Sequence, residues 1–130
     1  MPDTFGIQEW VQGETPLDGN QPTILLFWES WCPYSQNQVP EFDLTSRPFR
    51  DEGLKVVALA EAKYPGGDDR LADFVRDKQL TFPTARVSRE PWNYFEIPGT
   101  PSAAAIKDGR VVFQGSLGLV SEEFLRNLTE

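Results

Sequence analysis

The residues best suited to chemistry lie in Trp31-Cys32-Pro33-Tyr34-Ser35, which holds the only cysteine of the chain. One thiol cannot close an internal disulfide, so its chemistry depends on where the backbone puts it. The preceding run Thr23 to Trp28, TILLFW, reads as a buried strand bounded by Pro22 and by the Cys32-Pro33 break. Pro33 suits the first position of a helix, where its missing N–H is not needed. Cys32 is then expected at a strand-to-helix junction, at the positive end of the helix dipole. There the free N–H groups of Tyr34 and Ser35 can hydrogen-bond a thiolate. Both effects favour the anion, so the Cys32 pKa is expected to move downward. Ser35 lies three residues on, where its hydroxyl can donate one more hydrogen bond to the sulfur. A thiolate so placed is a nucleophile for thiol–disulfide exchange. The competing reading, a small buried apolar residue, fits poorly with the proline directly after it and the aromatics around it.

The elements that must position this thiol follow from the apolar pattern. A helix is expected from about Pro33 into the region of Phe49, with Val39, Phe42 and Phe49 inward and a kink at Pro40. Leu54 to Ala60 reads as a second buried strand, parallel to the first by the right-handed crossover rule. Leu71, Phe74, Val75 and Leu80 recur at near-helical spacing, which predicts a helix over Arg70 to Gln79. Arg89 to Ile97 is read as a short helix or irregular turn, with Trp92 and Phe95 packing on one side. Asp108-Gly109 between two apolar runs predicts a hairpin of Ser102 to Ile106 with Arg110 to Gln114. Ser121 is expected to cap a last helix whose apolar stripe is Phe124, Leu125 and Leu128. The fold class is α/β: a mixed sheet with a parallel βαβ half, an antiparallel hairpin and helices on both faces. No repeat or linker interrupts residues 1–130, so one domain is expected.

Composition bounds the chemistry further. At 130 residues and 39% hydrophobic, the chain can bury a core without disulfide staples. Without histidine, and with one cysteine, the usual zinc sets, haem ligands and histidine-dependent triads are unavailable within one chain. Gly66-Gly67-Asp68-Asp69 is the one acidic run suited to a hard cation, and is read instead as a helix cap, so no metal is expected. A net charge of −8 argues against nucleic acid and anionic membrane surfaces as partners. No apolar run approaches the roughly 20 residues of a membrane span. The start, MPDTFGIQEW, has neither a basic nor an apolar signal region, so no signal peptide is expected there, which leaves the compartment open. A monomer is expected.

The text ILLFWESWCPYS, a Val-Pro at residues 39–40 and the later IPGTPSAAAIKDGRVVFQG together resemble the thioredoxin superfamily. The branch they resemble most is the TlpA/ResA-like thiol:disulfide oxidoreductases, over about residues 7 to 128. The resemblance implies a thioredoxin fold with Cys32 as the attacking thiol. It matches Pro101 to the family's cis-proline, beside the active-site cysteine, with Thr100 held so that its backbone can pair with an extended substrate segment. Trp31, Pro33 and Tyr34 then border the substrate groove, while Trp28 packs in the core. No cofactor is implied; protein thiols or disulfides are the substrates, with glutathione a candidate co-substrate.

Three departures matter. Ser35 stands where the family has its resolving cysteine. Leu26 occupies the position of the buried aspartate of thioredoxin, and Gln38 that of a ResA-type glutamate. Those carboxylates help move a proton when the second thiol attacks, so the three losses are mutually consistent. Glu29 is unusual within the FWxxWC pattern and is read as a solvated loop residue in preference to a carboxylate of the site. The remaining chemistry is a mixed disulfide on Cys32, released by an external thiol. CPYS also resembles monothiol glutaredoxin sites, over four residues only. A peroxidase reading is weaker, since peroxiredoxins carry threonine or serine where Glu29 stands. Two alternatives stay open: a binding module that grips extended peptide without catalysis, and a serine substituted for the second cysteine of a dithiol enzyme.

Overall fold

A computed structural model describes residues 6–15, 21–61 and 70–130. The TILLFW run becomes β2 (Thr23–Trp28), buried along its whole length. Such a strand must have a neighbour on both edges and a layer on both faces. On one edge it pairs in parallel with β3 (Lys55–Glu61), in register from Thr23↔Lys55 to Trp28↔Ala60. On the other it pairs antiparallel with β5 (Ser102–Lys107), from Thr23↔Ile106 to Phe27↔Ser102. β5 turns back into β6 (Arg110–Ser116) through Asp108 and Gly109. Their φ angles of 54° and 76° are both left-handed, as a tight two-residue hairpin turn requires.

The sheet has two strands more than the four that the apolar pattern predicts. β4 (Thr84–Val87) runs parallel to β3, and β1 (Ile7–Gln12) lies antiparallel to β4, giving the order β1-β4-β3-β2-β5-β6. β4 has four residues and includes Arg86, too short and too polar to stand out as an apolar run. β1 is an edge strand with two register shifts, between Ile7 and Glu9 and between Trp10 and Gln12. Those irregularities break the period-two alternation by which a strand is read.

The faces of the central strands separate the helices. Ile24, Leu26 and Trp28 point with Val56, Ala58, Ala60, Ala103 and Ala105 toward α1 (Pro33–Asp51), α2 (Arg70–Asp77) and α4 (Glu122–Thr129). Leu25, Phe27, Val57, Leu59, Ala104 and Ile106 point to the opposite face. There α3 (Glu90–Tyr94) supplies Trp92, whose ring meets Phe27 edge-on at 5.1 Å, with Phe95 just beyond it. α1 and α2 share a face because β2–α1–β3 and β3–α2–β4 are successive parallel crossovers stepping in one direction. Helices thus cover both faces, as expected, but among the described residues three of the four α-helices lie on one side.

α1 passes through Pro40 and Pro48 as one helix, and Val39, Phe42 and Phe49 are buried. It runs to Asp51, slightly past the expected end, before Gly53 turns the chain at a φ of 109°. Asp43, on the same helix, is buried and binds the Arg50 guanidinium at 2.6 Å, the Thr81 hydroxyl at 2.7 Å and the Thr81 N–H at 3.2 Å. This cluster ties α1 to the segment leading into β4. At the C-terminus the Ser121 hydroxyl accepts the Phe124 N–H at 3.1 Å and so caps α4, whose Leu125 and Leu128 are buried. The acidic run at residues 66–69 lies outside the described residues.

Candidate active site

The site grows from the end of β2. Being central, β2 delivers the chain to the carboxyl edge of the parallel strands, where residues 29–32 turn into α1. The Cys32 N–H bonds to the Glu29 carbonyl at 3.0 Å, and the Gln36 N–H to the Cys32 carbonyl at 3.0 Å. Those two bonds lock the turn and place Cys32 at the N-cap in extended conformation, with Pro33 at the first helical position. As a neutral thiol Cys32 caps nothing, since sulfur is a weak acceptor.

Cys32 is nearly buried, at 9% exposure. Burial pushes its pKa up, but hydrogen bonding to the anion outweighs this, and the net shift is downward from 9.0. The contributing donors are the Thr100 hydroxyl, the N–H and hydroxyl of Ser35 and the Tyr34 N–H. Ser35 is fully buried, and its oxygen accepts the Glu29 N–H at 3.4 Å, which leaves the hydroxyl proton for the sulfur. The direction expected from the helix start is therefore present, and two side chains add to it.

β5 supplies the opposite wall. The Thr100–Pro101 peptide bond is cis. The Cys32 Sγ lies 3.7 Å from the Thr100 carbonyl oxygen, to which a protonated thiol donates. Pro101 is buried, and its carbonyl accepts the Leu117 N–H at 3.1 Å, so the turn after β6 braces this segment. Cys32, Ser35, Thr100 and Pro101 come together. Trp31 (38% exposed), Pro33 and Tyr34 (68% exposed) flank the sulfur in sequence and face solvent, whereas Trp28 is wholly buried against Phe74.

One expectation is overturned. Glu29 is not a solvated loop residue: its Oε1 accepts the Thr100 hydroxyl at 2.9 Å, across the site from its own strand. Together with its N–H on Ser35 and its carbonyl on Cys32, this makes Glu29 a junction of the site. A carboxylate inside an otherwise apolar and aromatic run was the available signal. Its partner is 71 residues away in sequence, so the bond could not be read locally. Leu26 packs in the core below. Gln38 instead lines a separate depression of about 240 Å³ between α1 and the turn after β6, with Glu41, Phe42, Leu117 and Ser121. Cys32 does not reach that depression. Among the described residues no group of three or more acidic, cysteine or histidine side chains could hold a metal ion, and no helix is long and apolar enough to cross a membrane.

A six-stranded mixed sheet with a cysteine at the start of α1 facing a cis-proline before β5 is thioredoxin-like, and the protein has the thioredoxin fold. The chain belongs to the AhpC/TSA family, whose model matches residues 8–87. It is 26% identical to the sporulation thiol-disulfide oxidoreductase A of Bacillus subtilis, over all of this chain and 80% of that one. Among solved structures, StoA from Bacillus subtilis superposes with a TM-score of 0.75 at 24% identity, covering 99% of this chain and 100% of that one. A thiol-disulfide isomerase from Corynebacterium glutamicum superposes with a TM-score of 0.78 at 20% identity, covering 97% and 94%.

Proposed function

We propose that the protein carries out thiol–disulfide exchange through the single nucleophile Cys32. The observation that supports this most directly is the sulfur at the N-cap of α1, its pKa lowered, facing Thr100 across the site. The Cys32 thiolate attacks one sulfur of a substrate disulfide; a new S–S bond forms, and the second substrate sulfur leaves as a thiolate. With Ser35 where a second thiol would stand, the adduct is not resolved from within. An external thiolate attacks the mixed disulfide, takes the substrate sulfur into a new disulfide and returns Cys32 as thiolate. Glutathione, or a second thiol on the substrate, has the required chemistry. Trp31, Pro33 and Tyr34 border the approach to the sulfur, and the Thr100–Pro101 segment is the surface along which an extended protein substrate would lie. The resemblance to oxidoreductases that use this segment in that way supports the assignment.

The test is adduct formation. Incubation with glutathione disulfide near neutral pH should give one glutathionyl adduct on Cys32 by intact mass, faster than on a free cysteine peptide. Reduced glutathione should release it, and Cys32→Ser should form none. Adduct formation no faster than on the peptide would end the proposal. A non-catalytic peptide-gripping module is a second reading, favoured by the exposure of Trp31 and Tyr34 beside the thiol. Undiminished partner capture by Cys32→Ser would support it.

A further inference from the structure

The Thr100 hydroxyl has one proton and two claimants. Its directed hydrogen bond goes to Glu29 Oε1 at 2.9 Å. Hydrogen bonding from the Thr100 side chain also favours the Cys32 thiolate, and the Thr100 carbonyl, one residue's backbone away from that hydroxyl, sits 3.7 Å from the sulfur. A hydroxyl donates a single hydrogen bond, so the proton serves the carboxylate or the sulfur but not both at full strength. Glu29 is held in place for this by its own backbone, through its N–H on Ser35 at 3.4 Å and its carbonyl on the Cys32 N–H at 3.0 Å. The two ends of the arrangement are thus registered to each other by the same turn.

We propose that Glu29 is a positioning residue for Cys32: its carboxylate holds the Thr100 hydroxyl proton away from the sulfur and so restrains the thiol. The inference rests on reading Cys32 as the attacking group, and it can fail separately, because alkylation measures the sulfur whether or not a disulfide substrate is turned over. Segment 29–35 carries Glu29, Cys32 and Tyr34 as its ionisable side chains, and segment 98–102 carries none. Tyr34 is exposed and contributes its backbone N–H to the sulfur. Glu29 is the one carboxylate of these two segments, so the Thr100→Val background separates its action through the hydroxyl from a direct action of its charge.

The test is the pH profile of iodoacetamide alkylation of Cys32 in five proteins: the native chain, Glu29→Ala, Glu29→Gln, Thr100→Val and Thr100→Val with Glu29→Ala. Glu29→Ala removes the acceptor and frees the hydroxyl, so the midpoint should fall. Below it the rate should rise about threefold, a roughly tenfold gain in thiolate offset by its lower nucleophilicity. Glu29→Gln keeps an oxygen acceptor without the charge and should behave like the native chain. In a Thr100→Val background, Glu29→Ala should no longer move the midpoint. The proposal is overturned if Glu29→Ala leaves the midpoint unmoved or raises it. It is equally overturned if Glu29→Gln shifts it as far as Glu29→Ala, or if the shift persists in Thr100→Val, since Glu29 would then act by charge or by another path. Thermal melts accompany each variant. Should Glu29→Ala not fold, Glu29→Met, of similar length and without an oxygen, takes its place with the same expected outcomes.

Discussion

Replacing Ser35 with alanine removes one oxygen from a fully buried position. That oxygen accepts the Glu29 N–H at 3.4 Å, and its proton favours the Cys32 thiolate. A hydrogen bond to a charged group contributes about 1.5–3 kcal/mol. Taken at the lower end of that range, the bond contributes about 1.5 kcal/mol. Since about 1.4 kcal/mol is a factor of ten, the loss cuts the thiolate fraction roughly tenfold at pH below the titration midpoint. The more basic thiolate is intrinsically more reactive, with a Brønsted slope of about 0.4–0.5, which returns roughly threefold. Ser35→Ala should therefore be alkylated about threefold more slowly than the native chain below both midpoints and about threefold faster above both. The two rate profiles should cross. The assay is the pseudo-first-order rate of iodoacetamide incorporation by intact mass across the titration, with a thermal melt to show that the variant folds. Superimposed profiles, or a midpoint that falls, would refute the claim that the Ser35 hydroxyl serves the sulfur.

Asp43→Ala should destabilise the fold by about 3 kcal/mol, because it leaves the Arg50 charge and the Thr81 N–H without their buried partner; urea unfolding would show this as a lower midpoint at unchanged slope. The lowered Cys32 pKa has a sign consequence for stability: the native state releases the thiol proton at lower pH than the unfolded chain. The stability of the native chain relative to Cys32→Ser should rise with pH from the folded-state midpoint toward 9.0 and be independent of pH below that midpoint. Urea melts at a series of pH values check it, and a gap that narrows with rising pH contradicts it. Ser35→Cys introduces a second sulfur one helical turn from the first, and should reduce insulin with dithiothreitol as the electron source, above the native rate. No gain, in a variant that forms an internal disulfide, would show that the site lacks what the second step requires.

Much of the site was legible because it is local. The apolar run, the Cys-Pro pair and the helix that follows are adjacent in sequence, and the capping geometry at Cys32 needs nothing beyond residues 29–36. The hairpin was legible for the same reason: Asp108-Gly109 specifies a left-handed pair of residues on its own. Pro101 was reached differently, through the likeness of its Gly-Thr-Pro context to a known family, because no local rule separates a cis from a trans proline there. β1 and β4 were not legible. Their residues gain strand character from pairing with each other and with β3, and only that pairing tells Thr84 to Val87 from a loop.

The sequence by itself determined that a lone thiol would sit at a strand-to-helix junction, that the chain holds no second thiol, and that the domain is α/β. It did so because helix starts, buried runs and tight turns are short-range devices. Only the tertiary structure decided what the thiol faces. The pairing of β2 with β5 brings Thr100, held by the cis bond to Pro101, across 68 residues to within hydrogen-bonding reach of Cys32. The same pairing turns Glu29 from an apparent surface charge into the partner of the Thr100 hydroxyl. A side chain's spacing can be read from sequence, but which proton it competes for depends on what the sheet lays beside it.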